Sequence, residues 1–262
     1  MVALDEHLCS RIHRGKLLVA LDRDGTIVPY AARPEQAKVS RELSQLLGSL
    51  SSLRDVEVAV VSARSCAQLQ GDFRGVQITL AGNYGMEMIF PSGIHHIEPL
   101  AIKAVSSLKI VRDEIASTFV VGDELILEDH GYSLCLHVPR LSAEQRLAVR
   151  RKVQQLAEHF PLLRWREQPT SMEILPAGKF DKGTALQRLV ACLAPGERGH
   201  VVFYAGDSDA DIPAFSWTKS NGGISVRVGG NDSLGAMFHL PTPEALLSVL
   251  RKLLKSRSEN VA

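Results

Sequence analysis

The chain has no long hydrophobic run. None of its 262 residues belong to a segment approaching the roughly 20 apolar residues of a membrane-spanning helix. No secretory leader is expected either, because the one apolar run after Lys16 spans only Leu17 to Leu21 and ends in Asp22. There is no excess of either charge: 30 Lys and Arg against 29 Asp and Glu leave a formal net charge of +1. That balance offers no basic surface for nucleic acid and no attraction to an anionic membrane, so neither is expected as a partner. Cysteine is sparse. Cys9, Cys66, Cys135 and Cys192 form no C-x-x-C pair and have no histidine at zinc-finger spacing. No disulfide or zinc framework is expected; they read as reduced, mostly buried thiols of a cytoplasmic protein. The nine histidines are equally scattered, and repeats and low-complexity tracts are lacking.

What the chain does have is apolar sequence, 45% of the total, enough for a core in one large domain or two modest ones. Apolar runs alternate with helical patterns, the signature of a parallel sheet covered on both faces, hence a doubly wound, Rossmann-like α/β fold. Residues 17–22 predict a first strand. Val39, Leu43, Leu46, Leu47 and Leu50 lie on one face of a helix. Further strands are expected over Val56–Val61, Gln77–Gly82, His200–Gly206 and Gly223–Val228, and a closing helix carries Leu246, Leu247, Leu250, Leu253 and Leu254. The middle differs: a helix over 100–117, short strands near Leu125–Asp129 and Ser133–Val138, a helix from Leu141 to His159, and strands near Leu163–Glu167 and Met172–Leu175. This αββαββ run belongs to an antiparallel sheet. It predicts a second domain over 99–173, inserted into a core made of 1–98 and 174–262.

The expected core strands end in polar residues: Asp22 and Asp24, Ser62, and Asp207. Open α/β sheets bind ligands just beyond the carboxyl ends of their strands. Ser62 alone would read as a helix N-cap. Asp22-Arg23-Asp24-Gly25-Thr26 fits a cap poorly, because a cap needs one side chain and two close carboxylates repel unless a cation sits between them. Magnesium, a hard cation that takes oxygen ligands and shares them with phosphate, answers that difficulty. The chemistry that uses such a site is phosphoryl transfer to a carboxylate, with Asp22 as nucleophile and Asp24 as general acid and base. Gly25 would allow close backbone approach and Thr26 a hydroxyl for the phosphate. Lys182, before Gly183 at a helix start where anions bind, is a candidate phosphate ligand. Arg23 and Asp209 read as solvated.

The motif at 22–26 resembles the DxDGT signature of haloacid-dehalogenase-like (HAD) phosphatases. Ser62 fits their second motif, Lys182 in KFDKGTAL their third, and Gly206-Asp207-Ser208-Asp209-Ala210-Asp211 their acidic fourth. The resemblance implies a HAD core with Mg²⁺ held by Asp22, Asp24, Asp207 and Asp211. It also implies phosphate contacts from Gly25, Thr26, Ser62, Ala63, Arg64 and Lys182, and makes the insertion a substrate-selecting cap. Within the superfamily, LDRDGTIVPYAARPEQA (with Pro29, Pro34 and Ala37), VVSAR, AGNYGMEM, LEDHGYSLCLH and SMEILPAGKFDKG resemble trehalose-6-phosphate phosphatases. That family reads its sugar with two cap glutamates and a lysine. Carried over, these are Glu128, Glu173 and, in the lysine's place, His130. Read without the resemblance, the glutamates are cross-strand charges on an exposed face and His130 is a turn residue. Tyr84 stands where histidine is usual, and Ser208, Ala210 and Ile212 stand where the fourth motif has Asp, Thr and Glu.

The resemblance thus implies hydrolysis of trehalose 6-phosphate, a small-molecule substrate made by a glycosyltransferase with which the enzyme would function. Alternatives with the same core are a phosphatase for glucosyl- or mannosyl-glycerate phosphate, sucrose phosphate or an aminocyclitol phosphate, and a phosphohexomutase. A non-catalytic sugar-phosphate sensor is the alternative from another class.

Overall fold

The computed structural model describes residues 15–31, 36–193 and 200–259; Cys9 and Pro34 lie outside them. The described chain forms two compact units, one built from residues up to 95 together with those from 181 onward, the other from 96–180.

The first unit runs β1 (Leu17–Leu21), α1 (Arg41–Ser51), β2 (Val56–Val61), α2 (Cys66–Asp72), β3 (Thr79–Gly82) and β4 (Glu87–Ile89), and β5 (His95–Ile97) crosses its boundary. The second contains α3 (Pro99–Thr118), β6 (Ile126–Asp129), β7 (Leu134–His137), α4 (Ala143–His159), β8 (Leu163–Glu167) and β9 (Ser171–Pro176). The first then resumes with α5 (Lys182–Leu193), β10 (Val201–Gly206), α6 (Ile212–Ser220), β11 (Ile224–Val228), β12 (Phe238–Leu240) and α7 (Pro243–Glu259).

The larger sheet has the order β12-β11-β10-β1-β2-β3-β4-β5. Pairing is parallel from β12 through β3 and turns antiparallel at β4. All five residues of β1 are fully buried, because alternate side chains enter opposite layers. Leu17, Val19 and Leu21 pack with Leu43, Leu47 and Leu50 of α1 and Leu246 and Leu250 of α7. Leu18 and Ala20 pack with Leu186 and Leu189 of α5 and Phe215 of α6. The expected doubly wound fold is present. β4, β5 and β12 were not anticipated; each is three residues long, too short for a periodic signal.

Local chemistry sets the helix starts. Ser40 caps α1 by accepting from the Leu43 N–H, while Ser65 and Gln68, and Ser142 and Gln145, form reciprocal capping boxes on α2 and α4. The cap of α2 is therefore Ser65, which leaves Ser62 free of that role. Cys66 and Cys135 are buried, whereas Cys192 is exposed.

In the second unit the antiparallel sheet has the order β6-β7-β9-β8. One face carries Leu134, Leu136, Met172 and Ile174 against Leu108, Val111 and Ile115 of α3 and Val149 and Val153 of α4. The unit is wider than 99–173: β9 keeps its pairing with β8 as far as Pro176 opposite Leu163. Among the described residues no helix is long and apolar enough to cross a membrane.

Candidate active site

Parallel register brings the sequence motifs to one edge of the larger sheet. β1 lies between β10 and β2, so the residues following Leu21, Val61 and Gly206 emerge side by side. The Asp22 N–H donates to the Ala205 carbonyl at 2.9 Å and the Ser62 N–H to the Ala81 carbonyl at 2.9 Å, extending both ladders by one residue.

After Asp22 the chain turns sharply. The Ile27 and Val28 N–H groups donate to the Arg23 carbonyl, and the Gly25 N–H donates to the Val28 carbonyl. Gly25 adopts φ +77°, and a Cβ there would stand 2.1 Å from Asp207 Oδ2. Only glycine leaves that carboxylate in place. Thr26 is buried and its hydroxyl donates to Asp22 Oδ2 at 3.2 Å.

The centre of the site is Lys182, at the start of α5. Its Nζ lies 2.7 Å from Asp22 Oδ1 and 2.8 Å from Asp211 Oδ1, with all three side chains at most 5% exposed. Burial works against the lysine's charge, but Asp211 and Asp22 outweigh it and raise its pKa well above the ordinary value, so it stays protonated. Asp211 is held from several sides. Tyr204 OH donates to Oδ1 at 2.6 Å, while the Asp207 and Ser208 N–H groups and the Ser208 hydroxyl converge on Oδ2. Burial opposes its charge too, yet Lys182, the Tyr204 hydroxyl and the Ser208 N–H together hold its pKa below the usual carboxylate value. Gly206 permits this packing, since a Cβ there would lie 2.3 Å from Asp211 Cγ.

Asp22, Asp207 and Asp211 each offer a carboxylate oxygen within 4.8 Å of the others. Burial first, then the Asp211 and Asp207 charges, push Asp22 well above the usual carboxylate range against the pull of Lys182. Asp207 is likewise raised, by burial first and by Asp211. Its Oδ2 accepts from Tyr30 OH at 2.8 Å, while its Oδ1 is buried with no hydrogen-bond partner among the described residues. Three clustered carboxylates, two of which resist ionising and one of which holds a buried oxygen without a hydrogen bond among the described residues, fit a small hard dication.

Asp24 is placed differently. Its carboxylate accepts from Arg64 Nε at 2.8 Å and Nη2 at 3.0 Å and from Arg23 Nη1 at 2.5 Å. Of the four carboxylates expected around magnesium, the structure brings together Asp22, Asp207 and Asp211 and commits that of Asp24 to two guanidinium groups. Arg23 corrects the expectation of a solvated side chain. It is 1% exposed and also donates to Asp72 and to the Ala37 carbonyl. Asp209 is exposed, as expected. Ser62 is buried, and its Oγ accepts from the Arg64 N–H at 3.2 Å, with half-buried Ala63 between them. Sequence reasoning missed Tyr30 and Tyr204. A tyrosine in the aliphatic run of β10 was a usable sign; Tyr30, exposed apart from its hydroxyl contact, gave none.

In the second unit the polar sheet face lines up Glu128, Cys135, Glu173 and Arg166 in one cross-strand row over β6, β7, β9 and β8. Glu173 is buried rather than on an exposed face. His130 is a turn residue as expected, its N–H donating to the Ser133 carbonyl at 2.9 Å between β6 and β7, but it too is buried. Arg166 Nε donates to Glu173 Oε2 at 2.6 Å, and His137 Nε2 lies 2.6 Å from Glu128 Oε2. Burial opposes the Glu128 charge, but hydrogen bonds from His130 and His137 and their charges outweigh it and lower its pKa.

These features agree with the comparison to known proteins. A family described as trehalose-phosphatase matches residues 20–236. The chain belongs to the trehalose-phosphatase family. It is a phosphoric monoester hydrolase of sugar phosphates. Trehalose 6-phosphate phosphatase RA3 of Zea mays is 28% identical over 92% of this chain and 70% of its own. An uncharacterised glycosyl hydrolase of Mycobacterium tuberculosis is 28% identical over 90% of this chain but only 18% of its own length. A solved trehalose-6-phosphate phosphatase related protein superposes with TM-score 0.79 at 18% identity, covering 91% of this chain and 97% of the other, a likeness of fold.

Proposed function

We propose that this trehalose-phosphatase family member hydrolyses trehalose 6-phosphate to trehalose and phosphate through an aspartyl-phosphate on Asp22, with Mg²⁺ as cofactor. The observation that carries the reading is the buried Lys182 bridging Asp22 and Asp211 beside Asp207. A sensor has no need of a nucleophile held this way against a lysine.

Asp22, Asp207 and Asp211 would hold the Mg²⁺, whose charge would offset that of the phosphate dianion and of the carboxylates around it. Lys182, Ser62, Thr26, Arg64 and the backbone at Gly25 and Ala63 would bind the phosphoryl oxygens. An Asp22 carboxylate oxygen attacks phosphorus and the ester P–O bond breaks, while Asp24 gives its proton to the departing sugar oxygen. Asp24 then takes a proton from water, which attacks the phospho-Asp22 and releases phosphate. For Asp24 to serve as the acid, Arg64 turns from its carboxylate to the phosphate. Sugar recognition is assigned to Glu128, Glu173 and His130 on the polar face of the second unit, the substrate-selecting cap. The substrate would come from a glycosyltransferase acting in the cytoplasm.

Phosphate release from a panel of sugar phosphates with Mg²⁺, with Asp22→Asn as blank, tests this. Preferential hydrolysis of trehalose 6-phosphate, abolished in Asp22→Asn, is expected. Full turnover by Asp22→Asn refutes the mechanism, and indifference to trehalose 6-phosphate with another sugar phosphate cleaved well refutes the substrate.

A further inference from the structure

The polar face of the β6-β7-β9-β8 sheet carries a second cluster of metal-ligating side chains, chemically unlike the first. Glu128 on β6 pairs directly with Cys135 on β7, and His137 follows two residues later on the same face. Their donor atoms, a carboxylate oxygen, a thiol sulfur and an imidazole nitrogen, all lie within 4.8 Å of one another. We propose that Glu128, Cys135 and His137 form a binding site for a zinc-type transition metal ion.

The geometry argues for it. Bond lengths of about 2.0–2.1 Å to nitrogen and oxygen and about 2.3 Å to sulfur put neighbouring donors of a tetrahedral zinc site roughly 3.3–3.7 Å apart. Cys135 Sγ and His137 Nε2 are 3.6 Å apart. His137 Nε2 and Glu128 Oε2 are closer, at 2.6 Å, a hydrogen bond that opens by somewhat under about 1 Å to admit an ion at those bond lengths. His130 Nε2 approaches the same Glu128 oxygen at 3.6 Å, so two imidazole nitrogens converge on one carboxylate oxygen beside a thiol. Two of the three donors sit on one strand and the third on its paired neighbour, so the sheet ladder fixes their spacing. The side chains of Glu128 and His137 are 20% and 26% exposed, which lets solvent fill a further coordination position.

Donor chemistry separates this site from the core. Three carboxylates suit magnesium, whereas sulfur, nitrogen and oxygen together select zinc, cobalt and their neighbours. Burial, with the Glu173 and Glu128 charges, keeps the Cys135 thiol protonated in the metal-free protein. On binding, Cys135 releases that proton to solvent and the sulfur–metal bond forms, while His137 gives up to solvent the Nε2 hydrogen it directs at Glu128 and binds through that nitrogen's lone pair with its one proton on Nδ1. An occupied site also engages Glu128, so it withdraws a sugar-reading carboxylate. That consequence for turnover rests on the proposed substrate; the binding itself does not.

The test is a Co²⁺ titration of the full-length protein with Mg²⁺ saturating, followed by absorption and then by displacement with Zn²⁺. A near-ultraviolet thiolate-to-cobalt band with one ion bound per chain is expected. It should vanish in Cys135→Ser, persist in Cys192→Ser and Asp207→Asn, and need at least tenfold more Co²⁺ in Glu128→Gln and His137→Gln. Failure of the band to form in the folded wild-type protein, or its survival in Cys135→Ser, overturns the proposal; if Cys135→Ser does not fold, unchanged affinity in both Glu128→Gln and His137→Gln does so. Zn²⁺ should then slow hydrolysis of trehalose 6-phosphate more in the wild type than in Cys135→Ser. A cobalt band with sugar-phosphate turnover unaffected upholds the metal site and removes Glu128 from sugar binding.

Discussion

Replacing Lys182 by Met tests the organisation of the site most directly, because it keeps the side chain's length and removes its charge. The amine makes two contacts, 2.7 Å to Asp22 and 2.8 Å to Asp211. At that separation each is worth about 6 kcal/mol of gross Coulomb attraction at an effective dielectric of 20. Desolvation cancels most of it, and breaking a buried pair typically costs about 3–5 kcal/mol. The two carboxylates do not share that cost equally. Asp211 keeps the Tyr204 hydroxyl, two backbone N–H groups and the Ser208 hydroxyl, whereas Asp22, among the described residues, keeps the Thr26 hydroxyl and the neighbouring Asp207 carboxyl. Asp22, already raised, takes up a proton more readily, which limits the damage. A loss of about 3 kcal/mol is therefore expected for the metal-free protein, near the low end of that range. Urea denaturation of wild type and Lys182→Met, each with EDTA and with Mg²⁺, measures it. With Mg²⁺ the deficit should shrink, since a bound dication supplies positive charge beside the same carboxylates. Phosphate release should fall by about 100- to 1,000-fold, as when one preorganised charge-stabilising donor is removed. A folded variant that loses less than about 1 kcal/mol, the scale of an exposed ion pair, would show that the lysine does not hold the site together.

Other perturbations follow from the same geometry. Gly25→Ala places a methyl 2.1 Å from Asp207 Oδ2 at φ +77°; about 1–2 kcal/mol of backbone strain is expected, with Mg²⁺ affinity by calorimetry at least tenfold weaker, and unchanged affinity would remove Asp207 from the metal site. Arg23→Met strips a buried guanidinium from Asp24, Asp72 and the Ala37 carbonyl; a loss of about 3–5 kcal/mol in denaturant unfolding and a reduced kcat are expected, and wild-type stability would contradict the pairing. Asp207 has a folded-state pKa above its ordinary 3.8. The metal-free native state therefore holds that proton more tightly than the unfolded chain, and stability declines as pH rises through the window above 3.8. Asp207→Asn should then melt higher than wild type in EDTA at neutral pH, with the advantage fading on acidification; a lower Tm at neutral pH would reverse the sign.

Local sequence was enough for the strand ends that carry Asp22, Ser62 and Asp207, for the turn at Gly25 and for the α/β alternation. Each is dictated within a few residues: an apolar run buries, a glycine takes a positive φ, and the chain leaves the strand at its first polar side chain. The order of the motifs and the existence of a second unit were legible for the same reason. Which charges neutralise which was decided only by the tertiary structure. Arg23 meets Asp72 and Tyr30 meets Asp207 across 49 and 177 residues of chain, and Lys182 meets Asp22 only because α5 packs on the face of the sheet that β1 shares with β10. A buried ion pair takes its meaning from both partners and from the exclusion of water around them. Neither is encoded next to either residue, so an arginine that reads as solvated becomes a fully buried strut, and an aspartate that reads as a metal ligand is held by two guanidinium groups.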